Sequence, residues 1–241
     1  MSEFLQTAKE NAVFLLTCLG IFAVLVLVSW AAQHFLIRER RELSPARRVS
    51  YIAMFAAIAS VLMLIEIPLF FAPPFYKIDL SEIPILICTF YLGPVAGVVC
   101  ELLKILLKLL MKGTTTAFVG DFANFFVGCA LVLPASIVYH VKKSRKSAIV
   151  GLVTGTLVMT VFGSFFNGVY LLPKFSQLYG MPLEAIIAMG TEVNGAIHSV
   201  STLVLFAVVP FNVLKGIVVS FVTLILYKRV EKLLFRNNAC G

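Results

Sequence analysis

Apolar residues fall in long, almost uncharged runs separated by short polar breaks. Asn11 to Ile37 contains no Asp, Glu, Lys or Arg, and that length suits one bilayer-crossing helix with some tilt. Val49 to Ile65 is a second run. Ile83 to Cys100 is a third, broken by Gly93-Pro94, and Gly97 to Lys112 is a fourth. Phe122 to Val141 is a fifth, Ser147 to Pro173 a sixth, and a final apolar zone covers Val193 to Tyr227. Between the second and third runs, Glu66 to Glu82 (EIPLFFAPPFYKIDLSE) is rich in Pro and aromatics and predicts a structured loop.

The last zone is long for a single span. Pro favours the first turn of a helix, so Pro210 to Tyr227 is predicted as the final span. Val193 to Val209 then becomes an interfacial or re-entrant segment, with a single long last helix as the alternative.

Composition turns these runs into a class. Of 241 residues, 60% are apolar and 13% charged, against about 45–50% and about 25% in soluble domains. A soluble fold could not cover that much apolar surface. Disorder, collagen-like repeats and a disulfide scaffold are excluded by the same figures. About 150 apolar residues, at roughly 20 per spanning helix, supply six or seven helices and no separate enzyme module. The expected fold is all-α, a polytopic membrane helical bundle.

The net charge of +8 would raise nucleic acid as a partner of a soluble chain. Here, basic residues mark cytoplasmic loops instead. They form three clusters: Arg38, Arg40, Arg41, Arg47 and Arg48; Lys142, Lys143, Arg145 and Lys146; and Lys228, Arg229, Lys232 and Arg236. Placing all three inside a cell membrane puts the N-terminus outside and the C-terminus in the cytoplasm. The segment before Asn11 (Glu3, Lys9, Glu10) lacks the positive start of a signal peptide.

Polar groups at membrane depth are costly and point to function. Asn124, Asn167, Asn212 and Lys215 all fall in the outer half under this topology, with Asp79, Ser81 and Glu82 on the outer loop. Lys104, Lys108 and Lys112 lie four apart on one helical face. That face is either paired and snorkelling or lines a polar cavity. The convergence predicts an outward-opening pocket between helices. Its amides and lysine, walled by aromatics, suit a flat heterocycle with a uracil-like edge. The five cysteines and three histidines show no ligand spacing, and no nucleophile–base set or phosphate-binding loop occurs. No catalytic residue, metal or resident cofactor is expected. Active transport would need a partner to supply ATP.

The segments FFAPPFYKIDLSEIPIL, TFYLGPVAGVVCELLK, GDFANFFVG, FNGVYLLP and VVPFNVLKGIVVS follow in order. Together, over roughly Arg48 to Arg229, they resemble the riboflavin-specific S component of the energy-coupling factor (ECF) transporters. The resemblance implies a six-helix core that binds riboflavin from outside. It also implies a transmembrane coupling subunit, two ATPase subunits, and a toppling of the loaded S component that releases vitamin inside. Asn167, Asn212 and Lys215 match the polar ligands of the flavin, and Phe75 to Asp79 the lid beside it. Asn124 and Lys104 match further family positions. Ala53-Met54-Phe55-Ala56-Ala57 fits the small-xxx-small motif that faces the coupling subunit, with Ala53 and Ala57 as its small residues.

Residues 1–46 are then an additional N-terminal helix with a basic linker, 47–236 the six-helix core, and 237–241 a short tail. The positions of Lys77, Lys108 and Lys112 need not be basic in the family, so extra cations could admit FMN as cargo. Other readings kept in play are an S component for another vitamin, a stand-alone secondary transporter and a membrane enzyme acting on lipid. The last lacks any carboxylate-rich or nucleophilic cluster in the sequence.

Overall fold

The computed structural model describes residues 12–35, 37, 43–73, 75–114, 116 and 118–235. The segment before Ala12, Arg38, Arg40, Arg41, Arg236 and the 237–241 tail lie outside the described residues. The elements are α1 (Ala12–Phe35), α2 (Pro45–Met63), β1 (Ile67–Pro68), β2 (Lys77–Ile78), α3 (Glu82–Leu92), α4 (Pro94–Lys112), α5 (Val119–Val141) and α6 (Arg145–Phe166). There follow a π-turn (Asn167–Leu171), α7 (Leu172–Tyr179), α8 (Leu183–Val193), α9 (Val200–Leu203), a second π-turn (Val204–Val208) and α10 (Val209–Phe235).

Among the described residues, five helical stretches are long and apolar enough to cross a membrane: Cys18–Phe35, Pro45–Met63, Val119–Val141, Arg145–Tyr179 and Val200–Val230. The bundle therefore has the expected class. Helix α4 has the same 19-residue length as α2, but carries Glu101 and three lysines. Glu101 and Lys104 are buried and Lys108 meets Asp121, while Lys112 reaches Glu66 at the rim.

Helix starts follow local chemistry. The Ser44 side chain caps α2, whose first residue is Pro45, and the Ser144 side chain caps α6. Between α3 and α4 the chain turns at Gly93, whose φ of 95° suits a residue without a Cβ. Pro94 then opens α4.

Helix α3 corrects the expected third span. Its 11 residues extend only about 16 Å, short of the roughly 30 Å hydrocarbon core. Every one of them is buried, so α3 is an internal helix. The segment before it folds inward to meet its start. β1 and β2 form a minimal antiparallel pair, Ile67 opposite Ile78 and Pro68 opposite Lys77. Asp79, Ser81 and Glu82 are buried at 5%, 0% and 1% exposure, not displayed on an outer loop as predicted.

The last zone also differs from expectation. Helix α8 ends at Val193, and a capping box between Ser199 and Thr202 starts α9. Helical structure then continues through the π-turn into α10 and on to Phe235. Val200 to Val209 belongs to the long final helix, as in the alternative, rather than to an interfacial or re-entrant segment. The helix survives Pro210 because a widened turn precedes it, with Val209 N–H reaching back to the Val204 carbonyl. The same device appears on α6, where Leu172 N–H reaches the Asn167 carbonyl just before Pro173. A Cβ at position 168 would lie 3.1 Å from Val204 Cγ2, so the two widened turns pack against each other.

The core between α2, α3, α4, α5, α6 and α10 is apolar, with Phe90, Tyr139 and Tyr227 clustered near one end. Helix α1 lies against α4 and α5. Cys18 packs there with Val98 and Ile105, and Phe22 stacks near Phe125 at 6.1 Å. The outer side of α1 is apolar, including Leu19, Val24, Leu27 and Trp30.

Candidate functional site

The polar groups picked out in the sequence gather between α3, α4, α5, α6 and α10. Two widened turns and one inward loop bring them together. Lys215, one turn after Asn212 on the same face of α10, places its ammonium 3.1 Å from Asp79 Oδ2 and 3.5 Å from Glu82 Oε1. Asp79 also accepts from the Ser81 backbone N–H at 2.9 Å and from the Ser81 hydroxyl. That turn locks the carboxylate in place just before α3. Burial disfavours the Asp79 charge, but the Lys215 and Lys104 ammoniums more than offset it and hold the carboxyl at about 2.

Lys104 extends this set. It is fully buried, with its ammonium 3.1 Å from Glu82 Oε1, 3.1 Å from Asn124 Oδ1, 3.3 Å from Ser81 Oγ and 2.7 Å from Glu101 Oε2. Asp79, Glu82, Glu101, Lys104 and Lys215 thus form one interior charge network. The rest of the lysine stripe is paired too. Lys108 meets Asp121, and Lys112 lies 3.1 Å from Glu66. The paired alternative describes the stripe; no cavity-facing lysine is needed.

Beside the network stand the amides. Asn167 opens the first widened turn, donates to the Gly163 carbonyl at 2.8 Å and accepts from the Tyr76 hydroxyl at 3.0 Å. That leaves one N–H and one acceptor lone pair of the amide uncommitted. Asn212 lies against Gly163 and is 2% exposed; its Nδ2 has no hydrogen-bond partner among the described residues. Ser164 Oγ is likewise buried and unpartnered. Buried polar groups left without partners are rare, and two lie here, the Asn212 amide N–H and the Ser164 hydroxyl, beside the half-committed Asn167 amide.

Tyr76 closes this side. It is 7% exposed, with its ring 5.3 Å from Phe211 and 4.6 Å from Phe75. Burial pushes its phenol above the usual tyrosine range.

The structure brings together Asn167, Asn212, Lys215, Asp79, Asn124 and Lys104. It leaves Lys77 and Phe75 outside that group. Lys77 is solvent-facing and bonded to Glu66 at 2.7 Å, and Phe75 is 38% exposed beside Tyr76. Ala53 and Ala57 lie on the exposed face of α2 with Met54, Ile58 and Val61.

Sequence reasoning missed Glu101 and Ser164, named Tyr76 only as part of the Phe75 to Asp79 lid, and gave Glu82 no role beyond the loop. It also took the chain to lack a set of intramembrane carboxylates. Glu101 was detectable as the only acidic residue in the fourth apolar run. Tyr76 carried no signal beyond its aromatic-rich loop.

Residues 47–227 match the family model described as "ECF transporter, substrate-specific component". "Riboflavin transporter RibU" of Staphylococcus aureus (strain TCH60) is 37% identical over 199 residues, which cover 83% of this chain and 98% of that protein. "Riboflavin transporter FmnP" of Bacillus subtilis (strain 168) is 31% identical, over 77% of this chain and 92% of its own. A solved structure described as "Structure and mechanism of the S component of a bacterial ECF transporter" superposes with a TM-score of 0.62 at 39% identity. It covers 79% of this chain and 98% of that one. These matches make the chain a membrane transport subunit rather than an enzyme, and it belongs to the substrate-specific component family of the ECF transporters.

Proposed function

We propose that the chain binds riboflavin in the membrane and delivers it inward, powered by ATP hydrolysed on two partner ATPases through a transmembrane coupling subunit. One observation supports the cargo best. Asn167, Asn212 and Ser164 offer unused donors and acceptors next to Lys215, beneath aromatic Tyr76 and Phe211. A flavin presents a flat apolar ring with alternating donors and acceptors along one edge, which is the complement of that set. The names of the two relatives above agree with this reading.

The orientation that suits uptake has the N-terminus outside, the C-terminus in the cytoplasm and the three basic clusters inside. Ala53 and Ala57 give α2 a low-relief exposed strip where a coupling helix can approach closely. Helix α1 packs on α4 and α5 and leaves that strip open. Ala57→Leu is expected to spare binding and impair uptake.

FMN is a second cargo to weigh. Lys77 and Lys112 share the single carboxylate Glu66, which leaves one uncompensated positive charge for a phosphate.

The deciding measurement is an absorbance scan of the purified protein, followed by titration with riboflavin and FMN. Yellow protein with tight riboflavin binding is the expected result. Colourless protein that binds neither flavin overturns the proposal, and FMN binding alone reassigns the cargo. Robust uptake into vesicles lacking any ATPase would replace the ATP-driven scheme with secondary transport.

A further inference from the structure

The interior network has an uneven charge count. Three carboxyl groups (Asp79, Glu82, Glu101) face two ammonium groups (Lys104, Lys215). All five residues are at most 5% exposed. A net buried negative charge would cost several kcal/mol.

Geometry locates the imbalance. Glu82 and Glu101 meet at one ammonium: Lys104 Nζ lies 3.1 Å from Glu82 Oε1 and 2.7 Å from Glu101 Oε2. Yet Glu82 Oε2 and both Glu101 oxygens have no hydrogen-bond donor among the described residues. Glu101 Oε2 has instead the Lys104 ammonium at 2.7 Å as an ion pair. Two carboxyl groups gathered on one ammonium, with Glu82 Oε2 and Glu101 Oε1 left without a donor or a cation, lack one thing that would satisfy them, a proton between them.

The two acids are not equivalent. Glu82 is the first residue of α3, where the helix N-terminus favours negative charge. Both ammoniums converge on its Oε1, at 3.1 and 3.5 Å. Glu101 lies in the interior of α4 with Lys104 as its single cation. Its carboxyl is wedged against α5, where a Cβ at position 128 would fall 2.7 Å from Oε1; Gly128 makes the room. The other groups at the same ammonium are Asn124 from α5 and Ser81. None of these supplies a third cation, and Asp121 on α5 is taken by Lys108.

We infer that Glu101 is a neutral carboxylic acid whose O–H donates a hydrogen bond to the Glu82 carboxylate, and that it acts as a positioning residue for the cargo site. A buried acid kept neutral so that it can donate is a known use of a carboxyl group. The chain of contact runs from Glu101 to Glu82, and from Glu82 to Lys215. Neutral Glu101 fixes the Glu82 carboxylate, which together with Asp79 aims the Lys215 ammonium. The role of that aim in binding flavin rests on the functional reading above; the protonation state does not.

The test compares Glu101→Gln with Glu101→Ala. Gln keeps the shape and one donor of the protonated acid and carries no charge. Glu101→Gln should bind riboflavin within about twofold of the wild type, while Glu101→Ala binds about tenfold or more weakly. Loss of binding in both variants would mean that Glu101 is needed as an anion, and would overturn the inference. Infrared spectra of flavin-free protein give an independent signature. The wild type should show a protonated-carboxyl C=O band, shifted in D₂O and absent from Glu101→Gln. No such band in the wild type, or an unchanged band in the variant, overturns the inference whatever the binding data say. If the wild type binds no flavin, the cargo reading fails and the infrared result alone decides this one.

Discussion

Lys104 and Lys112 sit on the same face of α4, two turns apart, and both contact glutamate. Lys104 is fully buried between Glu82, Glu101, Asn124 and Ser81. Lys112 is 45% exposed and shares Glu66 with Lys77 at the edge of the protein. The sequence spacing that groups them says nothing of this difference. Depth decides it. An ammonium in the interior has no water to fall back on, so each contact it makes supports the fold. An ammonium at the rim exchanges one partner for water at little cost.

The sharpest way to break the contrast is to remove the interior cation. Lys104→Ala leaves Glu82 and Asn124 without their shared donor. It should destabilise the protein by about 3–5 kcal/mol, the usual cost of uncoupling a buried ion pair. Thermal unfolding in detergent would show it as a large drop in midpoint, or as a failure to recover folded protein. An unchanged midpoint would mean that the network is not tightly coupled. Lys215→Ala comes next. Asp79 keeps its Ser81 contacts, so the fold should tolerate the change better. Flavin affinity should fall by about 1–3 kcal/mol, the worth of one buried charged hydrogen bond. Fluorescence titration measures it, and unchanged affinity would remove Lys215 from the site.

The same contrast shows how much of the site was legible in the chain. Asn167, Asn212 and Lys215 stood out because each is a polar residue inside an apolar run, and the structure gathers them. The bundle was legible for the same reason. Other features depend on contacts between distant segments, which no local pattern encodes. The inward fold of residues 75–81 buries Asp79 and Glu82, although their neighbours look like an exposed loop. The widened turns before Pro173 and Pro210 let helices continue where Pro ordinarily signals a start or a stop. Lys77 shares the lid loop with Phe75 and Asp79. Period-2 alternation across β2 puts it on the outer side, while its neighbour Ile78 is buried.

Between interior and rim lies Tyr76, buried but joined to Asn167 by a single hydrogen bond. Tyr76→Phe keeps the ring contacts with Phe75 and Phe211 and deletes only the hydroxyl. The loss should be about 0.5–1.5 kcal/mol. If the aromatic segment closes over the cargo, the loss appears as faster flavin release with little change in the unfolding midpoint. If release is unchanged and only the midpoint falls, Tyr76 serves the fold and not the site.

The rim should yield the smallest effect. Lys77, Glu66 and Lys112 have side chains 42%, 35% and 45% exposed. Lys77→Ala leaves Glu66 a second lysine and open water, so stability should change by no more than about 0.5 kcal/mol after solvent screening. Raising the salt concentration should erase even that. The pH dependence has a definite sign. The hydrogen bond from Lys77, opposed by partial burial and reinforced by Lys112, holds the Glu66 carboxyl below its ordinary 4.5. A depressed folded-state value means that the contribution is complete above 4.5 and fades as pH falls through the depressed value. Unfolding midpoints of wild type and Lys77→Ala should therefore differ slightly at neutral pH and converge in acid. A difference that grows in acid would mean that Lys77 acts through a group other than Glu66.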